Sequence, residues 1–264
     1  MTRMGDHIRY DVDADGIATI TIDRPEKKNA MTYAMLFDFI ETVARAGDDP
    51  DARVVIVTGV PGAFCAGTDL ADLATVPGSD RGLRGRADEH ERWWPLVRCP
   101  KPTIAAVDGA AVGMGAEFTS QCDLRVASPG ARFAWNFVHR GLVPDTGAGT
   151  WLLPRLLGQQ RALELLYSGR FVSADEALEL GYVIEVVPSE SLVARAREIA
   201  SSFLGSSPFS ISRIKGLVME GLGSDVDTHM RRHTTAMAEC FASDDHREGV
   251  SAFLERRPAR FTGT

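Results

Sequence analysis

Two carboxylates, one of them beside a stretch of small residues, could move protons. Glu117 directly follows Gly109-Ala-Ala-Val-Gly-Met-Gly-Ala116, and Asp145 ends Gly141-Leu-Val-Pro-Asp145. A carboxylate held near a carbon acid can take up or return a proton, an effect on the order of 10²–10⁴ in rate when its pKa suits the task. Glycine and alanine let backbone come close to a ligand, and the start of a helix offers unpaired N–H groups to developing negative charge. That combination is what an oxyanion hole requires. Ala63-Phe-Cys-Ala-Gly-Thr-Asp-Leu70 reads as the matching half of the same site, because it follows the apolar strand Arg53-Val-Val-Ile-Val-Thr58 just as the 109–116 stretch follows Thr103–Val107.

Each candidate has a plainer alternative. Glu117 in the first turn of a helix can be a solvated residue stabilised by the helix dipole. Its neighbours Met114, Ala116 and Phe118 are apolar, however, so an unpaired carboxylate there is costly, and burial would raise its pKa. Asp145 can serve catalysis or cap the helix that follows it; both readings stay open. His229 and His233 are spaced i, i+4, but Arg231 and Arg232 lie between them and no helper carboxylate sits at motif spacing, so a solvated helix face is expected and no metal. Cys65, Cys99, Cys122 and Cys240 show no C-x-x-C spacing and read as reduced, mostly buried thiols. Gly113-x-Gly115 is followed by Phe118 where a dinucleotide fingerprint needs glycine, and neither G-x-S-x-G nor H-E-x-x-H occurs.

The elements that must position these groups alternate strand and helix. Tyr10–Ile22 reads as a β-hairpin with Asp15-Gly16 at its turn. A helix is expected over about Tyr33–Ala46, from the spacing of Met35, Leu36, Phe39, Ile40 and Val43. Strands are expected at Val54–Val57, Thr103–Val107, Cys122–Ala127 and Tyr182–Val187. A charged helix is expected over Arg81–Val97, ended by Pro100 and Pro102; Trp93 and Trp94 near its end either pack on the core or face an acyl pocket. Helices follow over Thr150–Leu157 and from Gln160 through Tyr167. Ser173 and Glu176 have capping-box spacing for a helix over 174–180 that Gly181 stops. Three further helices are expected beyond Glu190, broken at Pro208 and around Gly221–Ser224. The pattern is α/β.

The chain has 264 residues, 44% hydrophobic and 25% charged, as in a globular protein able to bury a good core. A net charge of −7 argues against a nucleic-acid surface, although Arg81, Arg84, Arg86, Arg92 and Arg98 make one basic segment, read as a solvated face or a phosphate contact. The first ten residues lack the apolar core of a signal peptide, and no apolar run approaches the roughly 20 residues of a membrane helix, so a cytoplasmic location is expected. No repeat or low-complexity segment separates domains.

Five features in order, from about Ile17 to Phe261, resemble the crotonase or enoyl-CoA hydratase/isomerase superfamily. They are Arg24-Pro25 with Lys28-Asn29-Ala30, then Ala66-Gly67-Thr68-Asp69-Leu70, the 104–118 stretch, Gly141–Asp145, and Ser173–Val183. The resemblance implies a ββα superhelix over residues 1–200 carrying a CoA-thioester site, followed by a helical trimerisation region over 201–264 of the same functional unit. It implies a homotrimer or a hexamer of paired trimers, with no cofactor beyond the CoA of the substrate. The thioester oxygen would lie between the backbone N–H groups of Thr68 and Met114. Lys28, Ala30, Ala66, Asp69 and Leu70 would bind CoA, and Phe261 would reach a neighbour's CoA site. Glu117 matches the first catalytic glutamate of the family's hydratases, whereas their second glutamate is Phe137 here. Asp145 stands where certain isomerases and the dehalogenating branch carry a working acid. Met114 breaks the usual run of small residues, so its side chain is expected to intrude on the acyl or thioester region. Trp135, Phe137, Val138 and His139 are candidates for an acyl pocket. The activity implied is hydration or isomerisation of an enoyl-CoA. The alternatives are a hydrolase or dehalogenase with Asp145 as nucleophile, and an acyl-CoA-binding protein without turnover.

Overall fold

A computed structural model describes residues 2–4, 7–75 and 93–264. The basic segment from Arg81 to Arg92, and most of the helix expected over 81–97, lie outside these residues. The N-terminal strands are β1 (Thr2–Met4), β2 (Ile8–Val12) and β3 (Ile17–Ile22), antiparallel in sequence order. The Asp15-Gly16 turn lies between β2 and β3, with Tyr10 opposite Ile20. Helix α1 (Tyr33–Asp48) follows, started by Thr32, whose hydroxyl accepts from the Met35 N–H at 3.2 Å.

The chain then repeats two strands and a helix. The first turn is β4 (Val54–Gly59), β5 (Ala63–Cys65) and α2 (Leu70–Thr75). After α3 (Pro95–Arg98) come β6 (Thr103–Val107), β7 (Ala110–Val112) and α4 (Met114–Gln121), then β8 (Leu124–Ala127) and β9 (Arg132–Ala134). The first strand of each turn joins one sheet and the second strand joins another. The large sheet runs β1-β2-β3-β4-β6-β8 and then β11 (Glu185–Val186), parallel from β3 onward; the small one runs from β10 (Val172–Ser173) through β9 and β7 to β5. This is the expected ββα arrangement.

Both faces of the large sheet are covered, which is why β4 and β6 read as continuous apolar runs. Alternate residues Val55, Val57, Ala105 and Val107 face the main core with Phe39, Phe64 and Phe118. Val54, Ile56, Ile104 and Ala106 face the opposite way, onto Leu192, Ala196 and Ala200.

Beyond β9 a 3-10 turn spans Asn136–Arg140. The helix expected over Thr150–Leu157 starts two residues earlier and divides at Leu152, because Pro154 cannot donate a helical N–H; it forms α5 (Ala148–Trp151) and α6 (Leu153–Leu157). Helix α7 (Gln159–Ser168) precedes β10 (Val172–Ser173) and α8 (Ala174–Glu179). Ser173 caps α8 by accepting from the Glu176 N–H, but the Glu176 carboxylate binds Arg170, so the box is only half formed. Of the strand expected over 182–187 only β11 (Glu185–Val186) pairs, since Tyr182 turns inward and is buried.

Four helices, not three, end the chain: α9 (Leu192–Phe203), α10 (Pro208–Gly221), α11 (Val226–Ala242) and α12 (Asp244–Glu255). The unforeseen break is at Ser243, in extended conformation, whose hydroxyl accepts from the His246 N–H at 3.0 Å and caps α12. No helix among the described residues is long and apolar enough to cross a membrane.

Candidate active site

Helix α4 begins at the site and is buried along its whole length. Its far end is clamped from inside. The Arg125 guanidinium donates to the carbonyls of Thr119 (3.0 Å), Cys122 (2.6 Å) and Tyr182 (2.6 Å), placing a cation at the helix C-terminus. The Tyr182 hydroxyl is shared with Thr119 Oγ1 at 2.8 Å and Ser120 Oγ at 3.0 Å. With its end fixed, α4 presents its first turn at a set position.

That first turn meets the 63–70 loop through missing side chains. A Cβ at Gly115 would lie 2.2 Å from the Cys65 carbonyl oxygen. Gly67, at φ +101°, lies against the strand that feeds α4: a Cβ there would be 2.9 Å from the Val112 oxygen and 3.9 Å from the Met114 nitrogen. The Thr68 and Met114 peptides are thereby neighbours. Neither N–H has a hydrogen-bond partner among the described residues. Both are free to donate to a third group, as an oxyanion hole needs.

The loop carrying Thr68 is held by the 24–31 segment. Met31 N–H donates to Gly67 O (2.8 Å), Asp69 N–H to Met31 O (2.8 Å) and Ala66 N–H to Lys28 O (3.1 Å). Buried Asn29 donates to Ala63 O at 2.6 Å. The Arg24 guanidinium binds both the Asp69 carboxylate, at 2.8 Å, and Ala30 O, at 2.9 Å. That hydrogen bond from Arg24 holds the Asp69 carboxyl below the usual carboxylate range. Ala30, Ala66 and Asp69 therefore share one hydrogen-bonded frame, with Lys28 and Leu70 exposed at its edge.

One turn into α4, Glu117 has no exposed surface. Thr146 Oγ1 donates to its Oε2 at 2.7 Å, while Oε1 is buried without a hydrogen-bond partner among the described residues. Gly149 packs directly on it: a Cβ there would lie 2.5 Å from Oε1 and 3.1 Å from both Pro144 and Trp135. Burial pushes the Glu117 pKa up from 4.5 to about 8; the Thr146 bond and the nearby peptide N–H groups of Ala148 and Gly149 oppose the rise, and the Asp145 charge adds to it. Asp145 is half-buried as a residue, but its Oδ1 is buried and unpartnered, and burial raises its pKa from 3.8 to about 6. It does not cap α5: the residue at that position is Gly147, with no side-chain cap.

Trp135 and Phe137 are buried beside this cluster, Trp135 against Gly149 and Phe137 with its ring 3.7 Å from a Cβ built on Gly113. Val138 and His139 do not join them. Both are exposed on the 3-10 turn, and His139 Nε2 is bonded to Ser168 O at 2.9 Å, because consecutive residues on so tight a turn point in different directions. Met114 has its side chain buried in the main apolar cluster. Phe261 packs on Gly249 of α12 in a groove with Ser207, Cys240 and His246, apart from the Glu117 cluster within one chain. Burial pushes the Cys65 thiol up to about 12, far from a reactive thiolate at neutral pH.

Thr146 carried no sequence signal, and it gains its role only because the loop after Asp145 folds back onto α4. Trp94, from the start of α3, donates its indole N–H to Thr146 O at 2.8 Å and stacks edge-on against Trp151 at 5.2 Å. Among the described residues, no group of three or more His, Cys, Asp or Glu is placed to hold a metal ion.

The model of the enoyl-CoA hydratase/isomerase family matches residues 13–264. The chain belongs to that family. It is 36% identical over 256 residues to the 1,2-epoxyphenylacetyl-CoA isomerase of Escherichia coli, covering 94% of this chain and 95% of that one. It is 35% identical over 250 residues to the crotonyl-CoA hydratase of Syntrophomonas wolfei, covering 93% and 94%. Among solved structures, an enoyl-CoA hydratase from Bacillus anthracis superposes with a TM-score of 0.90 at 31% identity, over 98% of this chain and 100% of that chain. As a member of the hydratase/isomerase family the protein is an enzyme with the crotonase fold.

Proposed function

We propose that the protein binds an enoyl-CoA thioester with its carbonyl oxygen between the N–H groups of Thr68 and Met114, and moves protons with Asp145 and Glu117. The observation that carries this reading is the placing of two carboxylates, each with a buried oxygen that lacks a partner, beside two peptide N–H groups with no partner of their own. Proton loss next to the thioester carbonyl leaves an enolate, and each N–H aimed at its oxygen contributes about 2.7–4 kcal/mol. The two carboxylates differ in pKa, about 6 for Asp145 and about 8 for Glu117, so near neutrality one is ionised and the other holds a proton. Asp145 is thus the base that takes the C2 proton. Glu117 is the acid that returns a proton at C4, which migrates the double bond. Phe137 favours this reading over hydration, because it puts an apolar ring on the side of Gly113 where a second water-activating glutamate is missing.

Hydration is the second reading, favoured by the presence of two carboxylates that could divide the work on a water molecule. The chemistry proposed draws on no cofactor beyond CoA itself. Lys28, exposed at the mouth of the 28–31 loop, suits a contact with CoA phosphates. Exposed apolar residues on the C-terminal helices, among them Phe241, Phe253 and Leu254, support assembly with further copies through residues 201–264.

Mass spectrometry of 2-enoyl- and 3-enoyl-CoA thioesters incubated with the protein in D₂O tests the proposal. Deuterium uptake with double-bond migration and no added water establishes isomerisation. A gain of the elements of water replaces it with hydration. Thioesters left unchanged and undeuterated across the panel, with binding intact, would sink both readings in favour of a binding role.

A further inference from the structure

Glu117 is gripped at one oxygen only, and the hydrogen bookkeeping around that grip is determinate. Thr146 Oγ1 lies 2.7 Å from Glu117 Oε2 and also accepts from the Ala148 N–H, at 3.3 Å. Its hydrogen must therefore go elsewhere, and Oε2 is the acceptor within reach among the described residues. If the neutral acid carried its proton on Oε2, that proton and the threonine hydrogen would compete for one short contact, and a buried donor would be left unmade. Oε1 has no partner and no such conflict. The threonine is itself fixed from outside the loop, since the Trp94 indole holds its carbonyl at 2.8 Å.

We propose that Thr146 is the positioning residue of Glu117: its hydroxyl commits Oε2 as a permanent acceptor, aims the carboxyl group, and makes Oε1 the one oxygen that gives up and takes back the transferred proton. In one turnover the Oε1–H bond breaks as the proton passes to the substrate carbon and the electron pair stays on the carboxylate; in the reset Asp145 gives up the proton it took from C2, and Oε1 regains one directly or by exchange with solvent. Throughout, the Thr146 hydrogen stays on Oγ1. The loop from Pro144 to Gly149 thereby does two separate things, offering Asp145 as one carboxylate and orienting the other through Thr146. This inference rests on the acid role given to Glu117 above.

Thr146→Val removes the hydroxyl and keeps the shape; Thr146→Ser keeps the hydroxyl. With an enoyl-CoA that the protein turns over, the valine variant is expected to lose about 10- to 100-fold in kcat, the scale of a hydrogen bond to an ionisable group, with KM changed less than about threefold. Because the threonine bond favours the ionised form, its removal raises the Glu117 pKa. The alkaline limb of the kcat profile then moves up by about one pH unit. Serine restores both kcat and the limb. Thr146→Ala reports the same loss if valine does not fold, and infrared difference spectra of the Glu117 carboxyl, referenced to Glu117→Gln, read its titration directly. If Glu117→Gln is inactive while the valine and alanine variants keep the wild-type kcat and limb, the positioning role is wrong and the acid role stands. If Glu117→Gln is itself fully active, the underlying reading fails.

Discussion

Among the described residues, one cluster of charged groups forms around buried Lys215 and another around buried Glu117, and the two are finished to different degrees. Around Lys215 every demand is met. The ammonium pairs with Asp123 at 2.9 Å and donates to the carbonyls of Leu96 and Lys101, both at 3.0 Å; Asp123 in turn accepts from the Thr103 N–H at 2.7 Å and its hydroxyl at 3.0 Å. Around Glu117 and Asp145 no cation is placed against either carboxylate among the described residues, and each keeps a buried oxygen without a partner. Buried polar groups are normally satisfied, and a buried charge is normally paired. The saturated cluster joins α10 to the sheet and can only hold. The unsaturated one can exchange protons, since burial with no cation to offset it lifts both pKa values into the range where protons move.

The contrast predicts opposite outcomes for two substitutions of similar size. Glu117→Gln is expected to lower kcat by about 10²–10⁴ without loss of fold. Its stability should even gain. The Glu117 pKa is raised on folding, from 4.5 to about 8, so the protein binds this proton more tightly folded than unfolded and loses stability as pH rises through that window. Urea titrations between about pH 5 and 8 should show the glutamine variant losing less than the wild type. Lys215→Met leaves the half-buried Asp123 without its cation and two carbonyls without their donor, and should cost about 1–3 kcal/mol of stability while kcat per folded molecule stays the same. If Lys215→Met abolished turnover in protein shown to be folded, or Glu117→Gln only destabilised, the division between holding and working charges would be lost.

How far each cluster could be read in the sequence follows from how local its cause is. The strands β3, β4 and β6, helix α1, and the Ser173 cap depend on neighbours within a few residues, and their pattern is visible in the chain. So is the site's backbone: the glycines at 113, 115 and 67 mark close approach by their type and spacing alone. The bond from Thr146 to Glu117 spans 29 residues and that from Trp94 to Thr146 spans 52, so nothing in local spacing reveals them. Arg125 looks like an ordinary strand residue until α4 is seen to end on it. Val138 and His139 adjoin Phe137 in sequence but not in space, because the 3-10 turn sends them outward. Ser243 has the type of a cap, with Asp244 and Asp245 after it, yet the apolar pattern running past it masks the break.

Asp145 and Asp69 carry the same comparison into a single chemical type. Both aspartates sit on loops at the site, but Asp69 is bound by Arg24 and Asp145 is left short of a partner at Oδ1. Asp145→Asn removes the group that titrates at about 6 and should cost about 10²-fold or more in kcat as a lost base. What remains of the activity should no longer fall on the acid side of neutrality, since the ionisation that controls that limb has gone. Asp69→Asn should do far less. Its ion pair is mostly but not wholly screened from water, so about 1 kcal/mol of stability is at stake. The 66–69 loop then loosens and KM rises by a factor of a few. The pH profile keeps its shape, because the guanidinium already holds Asp69 ionised below the range over which the enzyme is assayed. A shift of the acid limb in Asp69→Asn, with none in Asp145→Asn, would transfer the working role from the unpaired carboxylate to the paired one.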